Sequence, residues 1–492
     1  MNIFDKVIEY FDPQLAIRRK MAREVLQNNF SFDGGSKGNR FSTWYSPSSS
    51  VNSSMSGVIQ TLRDRSRDLA RNNPYAVKSK SSIGANVIGK GITAQIKNDN
   101  NLTMADQLQQ LWWKWAETTD CDSQSKVNFY GIQRQVIKTI FESGEVLIRK
   151  RRRRSNVNNS IPLELQVMEP EFLDDSKEYF SNNASDNYIY KGIEFNSLGN
   201  PVAYWLYPEH PGEDRLRSLN HTSVRVPASD IIHLYRVDRP GQVRGIPWLT
   251  PAIVHLKDFN DYEQTQLVRQ KIAACFMAFY KDIDPNLSDL PKNDQGQYID
   301  KVTPALIEAL PHGRDIVFAN PPTVENYKEY STQILRGIAV GVGVPYEVLT
   351  SDYSQVNFSS ARMGWLEFHR SIEEWQNDIF IANFLPTIWS WFSQYAEIQG
   401  LDTRNSYVVW TPQRRAMIDP SSEIKAIRDE VRAGLNSLSG AIRELGRDPQ
   451  EVFDQLEMDL KDLEQRSLKL DSIPSHMTQA GMTQQEQQPN QN

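Results

Sequence analysis

The stretch that most constrains the fold of this chain opens at Pro247. From there to about Ala273 nothing breaks a helix, and proline suits a first helical position. Yet Lys257, Asp258, Asn260, Asp261, Glu263, Gln264, Thr265, Gln266, Arg269, Gln270 and Lys271 put polar groups on nearly every face. A helix polar all round buries little within its own chain, so it is exposed on several sides or shared between subunits. Any fold for this sequence must therefore carry a rod that its own core does not hold.

The rest of the chain supplies core enough. Its 492 residues suggest two to four domains or one elaborate one, with 39% apolar residues and 24% charged. The longest uncharged apolar run, Ile272 to Tyr280, is half of what a bilayer needs, so no membrane partner is expected. Asp5 and Glu9 within the first ten residues, with no apolar signal core, argue against export. Cys121 and Cys275 cannot build a disulfide framework or a metal cluster, which points to folding in a reducing cytoplasm. The formal charge of −6 hides an asymmetry: residues 1–154 hold 25 Lys and Arg against 14 Asp and Glu, and the remainder 30 against 47. A protein that grips DNA through phosphates usually presents a basic surface. A largely acidic body instead permits a DNA conduit that must not stick.

Along the chain, a basic amphipathic stretch (Leu15, Ile17, Met21 and Val25 among Arg18, Arg19, Lys20 and Arg23) runs into a Gly/Ser/Asn-rich linker over 28–56. A helix is expected over 57–72, ending before Pro74. Strand and turn are expected over 81–97, and helices over 102–117 and 129–143, the latter closed by Gly144. Strands follow at Glu145–Lys150, Glu164–Met168, Lys191–Phe195 and Val202–Tyr207, the last two joined by a hairpin at Leu198-Gly199-Asn200. After the polar helix comes a mixed segment, 277–325, with a strand near Ile316–Ala319. A helix over 326–341 leads through Val344-Pro345 to the polar loop Ser351–Phe358. From Ser359, with Ser359 or Ser360 as its cap, Trp365, Phe368, Ile372, Trp375 and Ile379 mark one apolar helical face reaching to Pro386. Capped helices follow from Asp419-Pro420, up to Gly434 and Gly446, and from a capping box at Asp448-Pro449-Gln450-Glu451 to about Leu470. The Gln/Asn-rich residues 471–492 have too little bulk to fold.

Enzymatic signatures fail on inspection. Gly84-Ala85-Asn86-Val87-Ile88-Gly89-Lys90-Gly91 nearly matches a phosphate-binding loop, but glycine stands where a Mg²⁺-ligating hydroxyl belongs. Gly34-Gly35-Ser36-Lys37-Gly38 has the G-x-S-x-G spacing of a nucleophile elbow but polar linker on both flanks. The seven histidines are scattered, with no metal-site spacing. No catalytic, cofactor or metal residue is therefore expected. The densest charge cluster, Arg149, Lys150, Arg151, Arg152, Arg153 and Arg154, reads either as a solvated hairpin end beyond the strand Glu145–Ile148 or as a contact for phosphate or an acidic partner. Six adjacent like charges call for counter-charge nearby.

Several stretches resemble the portal proteins of lambda-like tailed phages, in that family's order. They are Arg65-Ser66-Arg67-Asp68-Leu69-Ala70-Arg71-Asn72-Asn73-Pro74-Tyr75-Ala76, Glu142-Ser143-Gly144-Glu145, and Gly192-Ile193-Glu194 with Gly199-Asn200-Pro201-Val202-Ala203-Tyr204-Trp205. Ile231-Ile232-His233-Leu234-Tyr235, the run Arg239 to Leu249, and Lys271-Ile272-Ala273-Ala274-Cys275 follow. Gly343-Val344-Pro345-Tyr346, Asp352-Tyr353-Ser354 and Ser359-Ser360-Ala361-Arg362 complete the set, which spans roughly 57–455.

The resemblance implies an α+β portal fold: an α/β wing, a helical stem, a small α/β clip, a tunnel loop with its long helix, and a helical crown. It implies a homo-oligomeric ring, a dodecamer in assembled heads, at one capsid vertex, with assembly in the host cytoplasm. Double-stranded DNA would pass through without sequence preference. Terminase, a head-tail adaptor, and the major capsid and scaffold proteins would be partners. The wing maps to 57–246 with 359–417, and the stem to 247–276 and 326–350. The clip maps to 277–325, the tunnel loop to 351–358 and the crown to 418–470. Lys257, Asp261, Gln264, Arg269 and Lys271 are candidates for the stem's channel lining. Ser351, Asp352, Tyr353, Ser354, Gln355, Val356, Asn357 and Phe358 form the candidate tunnel loop, with one acid and no base. A moving duplex needs low friction, and Lys or Arg there would add affinity for each phosphate neutralised. The rival readings are a packaging enzyme (ATPase or nuclease) and a capsid or tail structural protein that does not touch DNA.

Overall fold

In the computed structural model, residues 46–152, 161–181, 183, 185–213, 222–274, 278–282, 314–318, 326–413 and 419–468 are described. The chain divides into two units, Met1–Ser56 and Gly57–Asn492. In the first, the described residues form a short helix, α1 (Val51–Met55), where a linker was expected; the Ser50 side chain accepts from Ser53 N and so nucleates it. The basic amphipathic stretch, the G-x-S-x-G run and the Gln/Asn-rich end lie outside the described residues, as does most of 277–325.

The second unit begins with α2 (Ile59–Asn72), which stops where Pro74 requires. Asn73 then does double duty, its Oδ1 accepting from Tyr75 N and Ala76 N, so Pro74 opens a new helix, α3 (Pro74–Val87). This corrects the strand-and-turn reading of 81–97 in its first part, where 81–87 is helix; the turn at Gly89 and Gly91 and the strand β1 (Thr93–Asn98) stand as expected. Gly84, taken for a turn, is mid-helix, where a Cβ would lie 3.0 Å from Lys138 of the neighbouring helix. Helices α4 (Leu102–Ala116) and α5 (Phe129–Ser143) follow as the apolar spacing dictates, each with an asparagine N-cap, and Gly144 ends α5 at φ +88°.

The strands β2 (Glu145–Arg152), β3 (Leu163–Met168), β4 (Tyr188–Tyr190), β5 (Ile193–Phe195), β6 (Pro201–Leu206), β7 (Val224–Pro227) and β8 (Ile231–Tyr235) make two antiparallel sheets. Their orders are β3-β2-β8 and β4-β5-β6-β7. One face of β2 (Val146, Ile148) joins the main core, and Leu147 on the other joins the smaller core under the four-stranded sheet. The main core centres on α5 and an aromatic cluster in which Trp112 meets Trp115, Phe129, Phe392 and Trp410 at ring-centroid distances of 4.9–5.7 Å. Such contacts add about 0.5–1.5 kcal/mol each beyond area burial, so this cluster anchors the late helices to the early ones.

Helix α6 (Ile253–Ala274) starts six residues after Pro247, later than the sequence suggested. Trp248 and Leu249 are buried, so the chain stays in the core before a short 3-10 turn, Thr250–Ala252, releases it. The strands β9 (Ala278–Asp282) and β10 (Arg314–Phe318) pair antiparallel. Helix α7 (Tyr327–Val342) runs back, and α8 (Tyr346–Thr350) is a single turn begun at Pro345. Helix α9 (Phe358–Trp375) does not stop at Pro386. It passes through wide π-helical turns over Gln376–Phe384 into α10 (Leu385–Ile398). In those turns the Leu385 N–H reaches back five residues to Phe380, which lets the helix absorb the missing proline donor. Strand β11 (Ser406–Thr411) pairs antiparallel with β1. Helices α11 (Pro420–Arg432), α12 (Leu438–Glu444) and α13 (Pro449–Gln465) follow, N-capped by Asp419, Ser437 and Asp448 as their acceptor side chains allow.

Candidate functional site

The expected channel elements lie on α6, α7 and the turn before α9. The first two turns of α6 bury Ile253, Leu256 and Phe259, and Phe259 meets Tyr75 at 5.7 Å. Beyond Phe259 no described side chain of α6 is buried, and Leu267 and Val268 are about half exposed. The all-round polar reading therefore holds for the distal half and is corrected for the proximal one. At about 100° per residue, Lys257, Asp261, Gln264 and Lys271 fall within one arc of about 80°, and Arg269 lies well off it. The structure thus groups four of the five candidates and separates the fifth. Lys257 and Asp261, both exposed, form an i,i+4 ion pair at 2.5 Å.

Helix α7 runs antiparallel to α6. Gly341 faces Ala252, so that a Cβ there would meet Ala252 at 3.6 Å, and Tyr262 meets Tyr327 at 6.0 Å and Tyr330 at 4.7 Å. Ser331, Leu335, Ile338 and Val342 give α7 a buried face toward the body, while 326–330 are exposed on every side. The distal ends of α6 and α7 therefore project together, joined by an aromatic clasp rather than a core.

The loop after α8 begins at Ser351, whose positive φ of +58° ends that turn with its N–H donating to Glu347 O. Asp352 accepts from Ser354 N at 3.0 Å, and this bond holds its carboxyl below the usual range. The cap of α9 is Asn357, not Ser359 or Ser360: Asn357 Oδ1 accepts from Ser360 N and Ser360 Oγ accepts from Asn357 N, a reciprocal box. Phe358 is therefore the first residue of α9, and the loop proper is 351–357. Ser351, Asp352, Tyr353, Ser354, Gln355 and Asn357 are exposed and Val356 is half-buried. Exposure continues into α9 through Phe358, Met363 and Leu366, and the first buried residue is Phe368.

The basic run takes a different form from the one expected. Arg149, Lys150, Arg151 and Arg152 are part of β2 itself and pair with β3, so the strand runs four residues beyond Ile148; Arg153 and Arg154 lie outside the described residues. Counter-charge comes from within the chain: Lys150 Nζ is 3.1 Å from Asp230 and lies over the Trp391 ring at 5.4 Å. Arg151 donates to Gln166 at 2.7 Å. Burial, with Arg151 beside it, lowers the pKa of Arg149.

Sequence reasoning missed the most perturbed group. Glu145, at the start of an otherwise apolar strand, is fully buried and accepts from Arg63 Nη2 (2.5 Å), Arg244 Nε (2.8 Å) and Gly245 N (2.6 Å), with His233 Nε2 3.1 Å away. Arg63 also donates to Ser143 O, and Arg244 also pairs with Asp175. Burial alone would push the Glu145 carboxyl up; Arg244, Arg63 and His233 outweigh it and hold it well below the usual carboxylate range. The backbones of Gly144 and Gly245 touch here, and a Cβ on Gly245 would lie 2.1 Å from Gly144 O. Three residues on, Trp248 N donates to Phe141 O, and the Trp248 ring meets Trp375, the last residue of α9, at 4.7 Å. The loop-bearing helix and the base of α6 are thus fixed to one buried ionic centre. A carboxylate opening an apolar run is the signal that could have exposed it.

The near-match to a phosphate loop is already filled. Gln413 Oε1 accepts from Lys90 N at 2.6 Å, and a Cβ on Gly91 would meet the Tyr130 ring at 2.3 Å. Glu169, Glu171 and His210 come close enough to share a cation. However, Arg67 engages both oxygens of Glu171 at 2.6–2.8 Å and lies 3.5 Å from Glu169, so a positive charge already serves them. Among the described residues no helix is long and apolar enough to cross a membrane.

Comparison with known proteins gives a consistent family. The family model described as "Phage portal protein, lambda family" matches residues 37–376. The chain is 26% identical to the "Probable portal protein" of Halomonas phage phiHAP-1, over 92% of this chain and 87% of that protein. It is 21% identical to "Portal protein B" of Escherichia phage lambda, over 87% and 89% respectively. Among solved structures, a chain in the virion of a native gene transfer agent particle is similar with a TM-score of 0.46 and 15% identity, covering 80% of this chain and 94% of that one.

Proposed function

The chain belongs to the lambda family of phage portal proteins, and from that premise we propose that its copies close into a ring at one capsid vertex whose lumen passes double-stranded DNA into and out of the head. The observation that carries this reading is the α6–α7 pair. Among the described residues its distal half has no core of its own, and it exposes Leu267 and Val268 beside polar side chains. In a ring, each such pair gains neighbours on two flanks and keeps a wet face for the lumen.

On this reading, 57–246 with 359–417 forms the wing, and α6 and α7 are the stem. Residues 277–325 form the clip, where terminase and a head-tail adaptor dock. The loop 351–357 reaches the channel, and the helices from 419 onward form the crown. The loop's exposed hydroxyl and amide groups support it, because they touch phosphates without clamping them. The role is structural, carried out in the virion after assembly in the host cytoplasm with capsid and scaffold proteins. The filled glycine loop at 84–91 supports this over an ATPase reading. Native mass measurement of the purified full chain tests the proposal. A particle near twelve copies is expected. A monomer that turns over ATP would favour the enzyme reading, and a protein present in hundreds of copies per virion would favour a shell component.

A further inference from the structure

A second surface, unrelated to the channel, lies on the outward stripe of α5. There a groove of about 500 Å³ runs between α5, the loop before it and β3. Its construction is specific. Asp122 is buried, and its carboxylate accepts from Gln124 N (3.1 Å), Lys126 N (2.9 Å) and Val127 N (3.3 Å), folding the loop over α5. Gly131 lets that loop approach, since a Cβ there would lie 2.7 Å from Val127.

Three cations line the groove: Lys126, Arg134 and Lys138. The two acids in its wall are already engaged, Asp122 by those backbone N–H groups and Glu142 by Lys80 at 3.0 Å. Arg134 donates only to the Gly89 and Lys90 carbonyls among the described residues, and neither Lys126 nor Lys138 has an ion-pair partner there. Half-buried Val127 and Val167 make the wall partly apolar.

The geometry points to a docking groove for an acidic peptide segment with an apolar side chain, supplied by a partner protein. Charge complementarity selects the acid, because Lys126, Arg134 and Lys138 outnumber Asp122 and Glu142 in one concavity, and Lys80 outside it already pairs with Glu142. The shape selects a peptide over nucleic acid. A groove this size accepts a few side chains, whereas a duplex presents its phosphates on a convex rod.

The test uses the full chain and a fluorescein-labelled peptide of alternating Glu-Glu-Leu units, with a Gln-Gln-Leu peptide and a 20-base-pair duplex as the other probes. Anisotropy titrations at low and physiological salt read binding. The double reversal Lys126→Glu with Lys138→Glu is expected to weaken the acidic peptide at least about fivefold, with Lys114→Glu, an exposed lysine outside the groove, changing it less than about twofold. Unchanged circular dichroism and particle mass serve as fold controls. No binding of the acidic peptide by the wild type overturns the inference. So does equal binding of the Gln-Gln-Leu peptide, or a duplex that binds more tightly than the peptide through the same two lysines. Failure here leaves ring formation untouched, since the particle mass is read in the same samples.

Discussion

Replacing Glu145 by glutamine should destabilise the fold severely while barely changing its shape. The side chain is 1% exposed and takes hydrogen bonds from Arg63, Arg244 and Gly245, with His233 beside it. Glutamine removes the only negative charge Arg63 pairs with among the described residues, leaving that guanidinium, itself 1% exposed, with the Ser143 carbonyl. Arg244 keeps Asp175 and the Lys191 carbonyl, so it is partly compensated. Breaking a buried pair from one side costs about 3–5 kcal/mol, and the surviving Asp175 contact places the expectation near 3 kcal/mol. Urea unfolding followed by circular dichroism reads the loss. Lys461→Ala, which breaks an exposed helix pair, should be indistinguishable from wild type. Adding Arg63→Met to Glu145→Gln should recover part of the loss by removing the stranded charge. The pH arm has a definite sign. A carboxyl held below its ordinary value stabilises the fold fully above about pH 4.3, and the benefit disappears as pH falls through the depressed value. Wild type should therefore lose stability below about pH 4, and Glu145→Gln should lose less over that window. A single-variant loss under about 1 kcal/mol, or a double variant worse than the sum of the two, would refute the reasoning.

Hydrogen exchange should show weak protection of α6 beyond Asn260 in dissociated subunits and strong protection in the assembled particle; equal protection in both would remove the case for support by neighbours. Gln355→Lys should leave particles normal but slow DNA packaging in a defined in vitro system, with partial relief at higher salt, because one substitution is repeated around the ring. Packaging at the wild-type rate would place the loop away from the DNA. Asn357→Lys is the poorer probe, since it also removes the α9 cap at a cost of about 1 kcal/mol. Gly91→Val should lower the thermal midpoint strongly, because its side chain would enter the Tyr130 ring from a backbone at φ +131°; a neutral result would mean the turn can swing clear.

Local rules carried much of the architecture. The Asn73-Pro74 break, the end of α5 at Gly144, the hairpin at Gly199 and the caps at Asp419 and Asp448 all follow from single residues whose backbone preferences dominate their surroundings. The misses share a cause, which is tertiary context overriding local signals. Gly84 reads as a turn until the structure shows it mid-helix, closely packed against Lys138 of a crossing helix. Pro386 reads as a stop until wide helical turns supply a register that needs no donor at that point. Pro247 reads as a helix start, but Trp248 is drawn into the core by Phe141 and Trp375 before α6 can begin. The loop before α9 was placed correctly but one residue too long, because Asn357 and Phe358 look equally loop-like until the reciprocal box with Ser360 is seen. The Glu145 centre ties that carboxylate to partners up to 100 positions away, a pairing that no periodicity encodes.

The central claim is that the distal α6–α7 pair is completed by neighbouring copies around a lumen. A cryo-electron microscopy map of the purified full-length particle tests it most directly. The account predicts a closed ring in which Lys257, Asp261, Gln264 and Lys271 lie toward the lumen with Val268 among them, Leu267, off that arc, contacts an adjacent subunit, and residues 351–357 reach furthest toward the axis. A ring whose axis is lined by α4 or α11 instead, with α6 facing outer solvent, would contradict it.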